Sequence, residues 1–134
     1  SEHIVREMWE KWVMLAALGG ITCSMRGTIG DVEAAGGAAF ARAFLRECAS
    51  VAGAAGHEMT GDYLDRFDEM LTARGSGLTS SMYRDLQRGR PVEADDILGE
   101  LLERARAANL QTPLLAAAYL NLSVYERRRV TSPA

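Results

Sequence analysis

Tyr63, Leu64, Phe67, Met70 and Leu71 recur three and four residues apart, which gathers them on one face of a helix. Nowhere does the chain alternate apolar and polar residues over the length of a strand, and β-branched side chains are sparse. The pattern predicts an all-α protein, a compact bundle of six to seven helices. A first helix is expected from about residue 3 to the mid-twenties, bent at Gly19-Gly20, and the Gly-rich connection from Gly27 to Gly37 has room for a short helix. An Ala-rich helix over about 38–55 should stop at Gly56, and Thr60 opens another that ends near Arg74. Thr79, Ser80 and Ser81 are the N-cap candidates of the next, with Gly89 as its stop. Glu93, Asp95 and Asp96 begin a helix over about 93–108, and Thr112-Pro113 sets an N-cap and a first-turn proline at the head of the last one.

The 134 residues suffice to bury roughly two thirds of the surface that an unfolded chain of this size exposes, without a disulfide or metal staple. A net charge of −3 with mixed signs gives no electrostatic footprint for nucleic acid, and Arg127 to Arg129 read as the dipole-complementing last turn of a helix. The uncharged run Trp12 to Met25 is fourteen residues long, short of the ~18 that suggest a membrane span. Glu2, Arg6, Glu7, Glu10 and Lys11 are unlike a signal peptide, and a cytoplasmic protein is expected. Cys23, Cys48 and two histidines offer no tight metal-ligand spacing. The cysteines read as small buried hydrophobes, and His57, after Ala55-Gly56, as part of a helix-ending turn. Gly75, Gly77 and Ser80 imitate part of the fingerprint GxGxxG, but a helix precedes them where that motif needs a strand, so no cofactor-binding residue is expected here.

Lys11 is the only lysine; every other basic side chain of lysine or arginine type is arginine. Glu7, four residues earlier, is placed for a helix-surface ion pair with it. Alternatively, Trp12, Met14, Leu15 and Leu18 desolvate the ammonium, lowering its pKa toward that of a proton donor working near neutral pH. A second group of polar residues runs from Ser80-Ser81-Met82-x-x-Asp85 to Glu93 and Asp95. Ser81 at a helix start sets a hydroxyl beside free backbone N–H groups, a setting that receives a carboxylate, and Glu93 begins the next helix after a tight turn. Taken separately, the serines are caps and the acids complement a helix dipole.

Trp9-x-Lys11 on the first helix, followed about seventy residues later by SSMYRDLQRGRPVEAD, resembles the C-terminal domain of ketopantoate reductases. The similarity covers almost the whole chain, including the Leu45-Arg46-Glu47 helix and the closing Thr112-Pro113 helix. The resemblance implies one helical domain over 1–134, similar to the C-terminal domain of 6-phosphogluconate dehydrogenase, and an N-terminal Rossmann domain outside these residues that binds NADPH. It implies the reduction of ketopantoate to pantoate in pantothenate biosynthesis, with a small 2-oxo acid and the Rossmann domain as partners; a homodimer is compatible with it. Lys11 matches the catalytic lysine, Glu93 the glutamate near the reacting hydroxyl, and Ser81, beside Ser80, the serine that helps hold the substrate carboxylate. The family usually places asparagines one and two turns after the lysine, where this chain has Leu15 and Gly19. Their loss points to a more apolar 2-oxo acid. It also supports the alternative of a noncatalytic dimerisation or scaffold domain; a free-standing helical binding protein is the third reading.

Overall fold

The computed structural model describes residues 1–131, and among them there are seven α-helices and no strand. In chain order they are α1 (Glu2–Met25), α2 (Ile29–Ala34), α3 (Ala38–Ala54), α4 (Gly61–Leu71), α5 (Ser81–Gln87), α6 (Glu100–Ala107) and α7 (Pro113–Thr131). A π-helical turn, Asp95–Gly99, leads directly into α6. No helix of the described residues is long and apolar enough to cross a membrane.

The start signals act locally, at Thr60 and Ser80 as read from the sequence and at Thr28, which the sequence reading did not name. Thr28 accepts from Asp31 N while Asp31 returns a bond to Thr28 N, a capping box that starts α2. Thr60 caps α4 by accepting from Tyr63 N, and Ser80, out of the three candidates, caps α5 by accepting from the N–H of Tyr83. Helix α1 runs as one helix through Gly19-Gly20 to the mid-twenties, as read from the sequence. Two boundaries differ from the sequence reading. Helix α4 stops at Leu71 rather than near Arg74, with the Thr72 hydroxyl donating to Asp68 O at its end. Glu93 lies ahead of the helix instead of opening it, held in a tight turn by Ala94 N donating to Val92 O.

Helix α1 is the axis of the bundle: α3, α5, α7 and the π turn all pack on it. Phe44, Ile21, Leu71, Leu98, Leu101, Leu115 and Leu122 are fully enclosed between these elements. The head of α7 is held from outside its own sequence. Thr112 and Pro113 stand at the cap and first-turn positions read from the sequence, with Thr112 O accepting from Ala116 N, and Glu47 of α3, 67 residues away, adds an anchor by accepting from Leu114 N and Leu115 N, each at 3.0 Å through Oε1. It meets two orphan N–H groups and the positive end of the helix dipole. Glu47→Ala is expected to lower the unfolding free energy by about 1–2 kcal/mol, a loss that a denaturant titration would register as a lower midpoint at constant slope.

Cys23 and Cys48 are buried free thiols. Burial pushes the Cys23 thiol up to about 11, against a small lowering by Ser80 and Arg26, and burial with Glu47 also raises Cys48. At pH 8 the Cys23 thiolate fraction is therefore roughly one in a thousand. Iodoacetamide at that pH is expected to leave both residues unmodified in the native protein and to label both after unfolding. Because the folded thiol holds its proton more tightly than the unfolded one, its contribution to stability is present below pH 9.0 and declines as pH rises from there toward 11.

Candidate active site

Ile4, Met8 and Leu15 fall at helical spacing with Lys11, and all three are exposed apolar side chains. Lys11 thus stands in an apolar stripe along α1 that no described element covers. Met8, Lys11, Trp12 and Leu15 form one wall of an open groove of about 480 Å³, and Asp96 and Glu100 form the other. The surface pair anticipated with Glu7 is absent: Glu7 is instead 2.9 Å from His3 Nε2, one turn toward the N-terminus. Lys11 makes no ion pair among the described residues and is exposed, so the burial that would desolvate it is not supplied by this chain.

Trp12 fixes the distance between the two walls. Its indole N–H donates to Ile97 O at 2.9 Å, tying α1 to the π turn that carries Asp96. Its ring stacks on Trp9 at 4.9 Å, and the Arg104 guanidinium lies over both rings at 5.5 and 5.2 Å. On the far side of the turn, Tyr119 donates its hydroxyl to Asp95 Oδ1 at 2.7 Å, and that bond is the first cause of a raised Tyr119 pKa. A π turn inserted where two such anchors meet is a local means of aiming side chains. Asp96 and Glu100 were not singled out as site residues from the sequence; their only signal is a four-residue spacing that any acidic helix start shares.

The two serines have different surroundings. Ser80 is buried, and its hydroxyl is engaged by Tyr83 N at 2.9 Å and by Thr22 Oγ1 at 2.8 Å, so it knits α5 to α1. Ser81, the first residue of α5, is exposed and has its hydroxyl open to a ligand. Glu93 is exposed as well. The groove at Lys11 is lined by neither of them: the head of α5 meets α1 at Gly19 and Thr22, roughly 12–16 Å further along the helix axis than Lys11. At Gly19 the Met82 methyl occupies the space that a Cβ would take, so a larger residue there requires the Met82 side chain to swing aside. Between Lys11 and Ser81 the exposed apolar side chain of α1 is Leu15, while Gly19 is buried beneath Met82.

Ser76 O and Leu78 O of the glycine-containing loop accept from Gly30 N and Ile29 N, at 2.8 and 3.0 Å, so the loop backbone closes onto α2. Among the described residues no group of three or more histidine, cysteine or acidic side chains is arranged to hold a metal.

Comparison with known proteins places the fold. The family model described as the C-terminal part of ketopantoate reductase PanE/ApbA matches residues 3–126. The uncharacterized oxidoreductase YkpB of Bacillus subtilis is 29% identical over 130 residues, covering 96% of this chain and 43% of that protein. A 2-dehydropantoate 2-reductase of Caulobacter vibrioides is 29% identical over 122 residues, covering 90% of this chain and 42% of that protein. The chain therefore spans well under half the length of these curated relatives. Among solved structures, a dimeric ketopantoate reductase from Staphylococcus aureus superposes with a TM-score of 0.83 at 26% identity, over 94% of this chain and 44% of that one. A D-mandelate dehydrogenase shares the fold alone, with a TM-score of 0.80 at 17% identity over 98% of this chain and 55% of that one. A match that runs from the first turn of α1 into the last turns of α7 leaves one assignment: the chain belongs to the family of ketopantoate reductase C-terminal domains.

Proposed function

We propose that this chain supplies the substrate-binding and proton-donating half of a nicotinamide-dependent 2-oxo acid reductase. The observation that carries this reading is Lys11: the one lysine of the sequence, without an ion pair among the described residues, in the wall of a groove on an apolar helix face that no described element covers. An N-terminal Rossmann domain seated on that face would bury Ile4, Met8 and Leu15 and exclude water from the ammonium. The cofactor, NADPH by the family resemblance, is assigned mainly to that domain.

Reduction of a 2-oxo carbon develops negative charge on its oxygen. The Lys11 Nζ stabilises that charge and transfers a proton to the oxygen, giving the 2-hydroxy acid. Ser81 donates its hydroxyl to the substrate carboxylate, and Glu93 accepts from the hydroxyl being formed or from the Lys11 ammonium. Ser80 acts one step back, fixing the angle of α5 through Thr22. Leu15 presents hydrocarbon where the family usually has one amide, and the buried Gly19 offers no hydrogen-bonding side chain where it has the other, so 2-oxo acids with hydrocarbon side chains are favoured over ketopantoate with its hydroxyl.

The test is NADPH oxidation at 340 nm by the full-length protein with ketopantoate and with 2-oxo acids bearing isopropyl, isobutyl and phenyl groups. The expected result is a kcat/KM at least tenfold higher for an apolar member than for ketopantoate. A preference for ketopantoate would overturn the substrate assignment and leave the lysine chemistry standing. Absence of turnover with every member, in a protein that binds NADPH, would favour the noncatalytic scaffold that Leu15 and Gly19 also allow.

A further inference from the structure

A cavity of about 650 Å³ opens where the ends of α1 and α5 meet the last turns of α7, lined by Arg26, Asn121, Tyr125, Arg128 and Arg129 among others, with no acidic side chain in its wall. Arg26 lies fifteen residues beyond Lys11, roughly 22 Å along α1, so this cavity is separate from the groove described above. We propose that it is a binding site for the phosphate group of a small molecule.

The charge balance selects the ligand class. Arg129 is held by Glu126, with Nε 3.2 and 3.1 Å from its two carboxylate oxygens, so its charge is answered within α7. Arg26 and Arg128 make no ion pair among the described residues. Asp85, on α5, is the other carboxylate near Tyr125, and it does not line the cavity. Helix ends bring partial negative charge here, about half a charge each, which is less than the two full charges of the guanidiniums and is reduced where a last-turn carbonyl is capped. Thr22 O accepts from Arg26 N and Gly27 N, and Asp85 O accepts from Arg90 N. Two unanswered guanidiniums that can each donate a bidentate pair match a dianion, and the side-chain amide of Asn121 adds a donor.

Arg26 caps α1 in the left-handed conformation, φ 56° and ψ 43°, which glycine adopts more readily than arginine. Glycine at this cap is therefore compatible with the fold. Tyr83 donates its hydroxyl toward Arg26 O, and Tyr125 donates its hydroxyl to Arg90 O at 2.7 Å, which secures the cavity wall.

Arg26→Gly separates this role from folding, because it removes the guanidinium and relieves the backbone. Isothermal titration at low ionic strength with inorganic phosphate and with adenosine monophosphate is expected to give one saturable site. Arg26→Gly, with a Tm equal to or above that of the parent, and Arg128→Ala should each weaken binding about tenfold or more. Arg106→Ala, an arginine in a different cavity, should leave it unchanged. Tighter binding of the nucleotide would show that a phosphate ester is the ligand, and equal affinities that free phosphate suffices. No saturable binding, or equal weakening in Arg106→Ala, would overturn the proposal.

Discussion

Lys11→Ala in the full-length protein is expected to lower kcat for 2-oxo acid reduction by about 10²–10⁴-fold while leaving the fold intact. The size follows from the two tasks assigned to one atom: the Nζ stabilises the developing oxyanion and then protonates it, and no other cation lines the groove. The neutrality toward folding follows from the same geometry, because an exposed side chain without an ion pair contributes within about 0.5 kcal/mol. Lys11→Arg discriminates between the tasks. Arginine keeps the charge but does not release a proton near neutral pH, so it should restore oxyanion stabilisation only and recover a small part of the loss. Turnover within threefold of the parent in Lys11→Ala, measured by NADPH oxidation, would remove Lys11 from the chemistry.

How much of this arrangement is legible in the sequence depends on the range of the interaction that creates it. Helix positions follow from apolar period, and the starts of α2, α4 and α5 from side chains three residues from the N–H they cap. Those are local contacts, and the sequence displays them. The anchoring of α7 by Glu47 and the knitting of Ser80 to Thr22 join residues 67 and 58 positions apart, and no local pattern encodes them. The π turn is hidden for a different reason. Asp95–Gly99 has the composition of an ordinary helix start; its extra residue becomes explicable only with Trp12 bonded to Ile97 O and the Tyr119 ring lying where a Cβ on Gly99 would stand. At the candidate site, Lys11 is conspicuous as a lone lysine, whereas its neighbours Asp96 and Glu100 depend on how α6 is docked. Leu15 and Gly19 are visible as departures from a family pattern, but that Met82 fills the space over Gly19 is a fact of packing.

The same substitution, glycine to alanine, is expected to act with opposite signs at two positions, and the larger effect bears on the site. At Gly30 an added Cβ would stand 2.5 Å from Ser76 O and 2.7 Å from Ser76 N. Both are backbone atoms, so no side chain can swing aside, and the loop must move away from α2. That movement strains or breaks the bonds from Gly30 N to Ser76 O and from Ile29 N to Leu78 O. Overpacking of this kind together with two weakened hydrogen bonds comes to about 3 kcal/mol, or a Tm lower by roughly 10 °C in a domain of this size. Gly53, inside α3, has nothing within 4 Å of its virtual Cβ, and Gly53→Ala should raise stability by about 0.5–1 kcal/mol through helix propensity alone. The loop latched to Gly30 leads directly into Ser80 and Ser81, so Gly30→Ala should also weaken substrate binding, raising KM in the full-length protein at temperatures where the variant is still folded. A Gly30→Ala protein as stable as the parent would mean that the loop yields easily and does not hold the head of α5. A lowered Tm with an unchanged KM would instead place the carboxylate contact elsewhere than at Ser81.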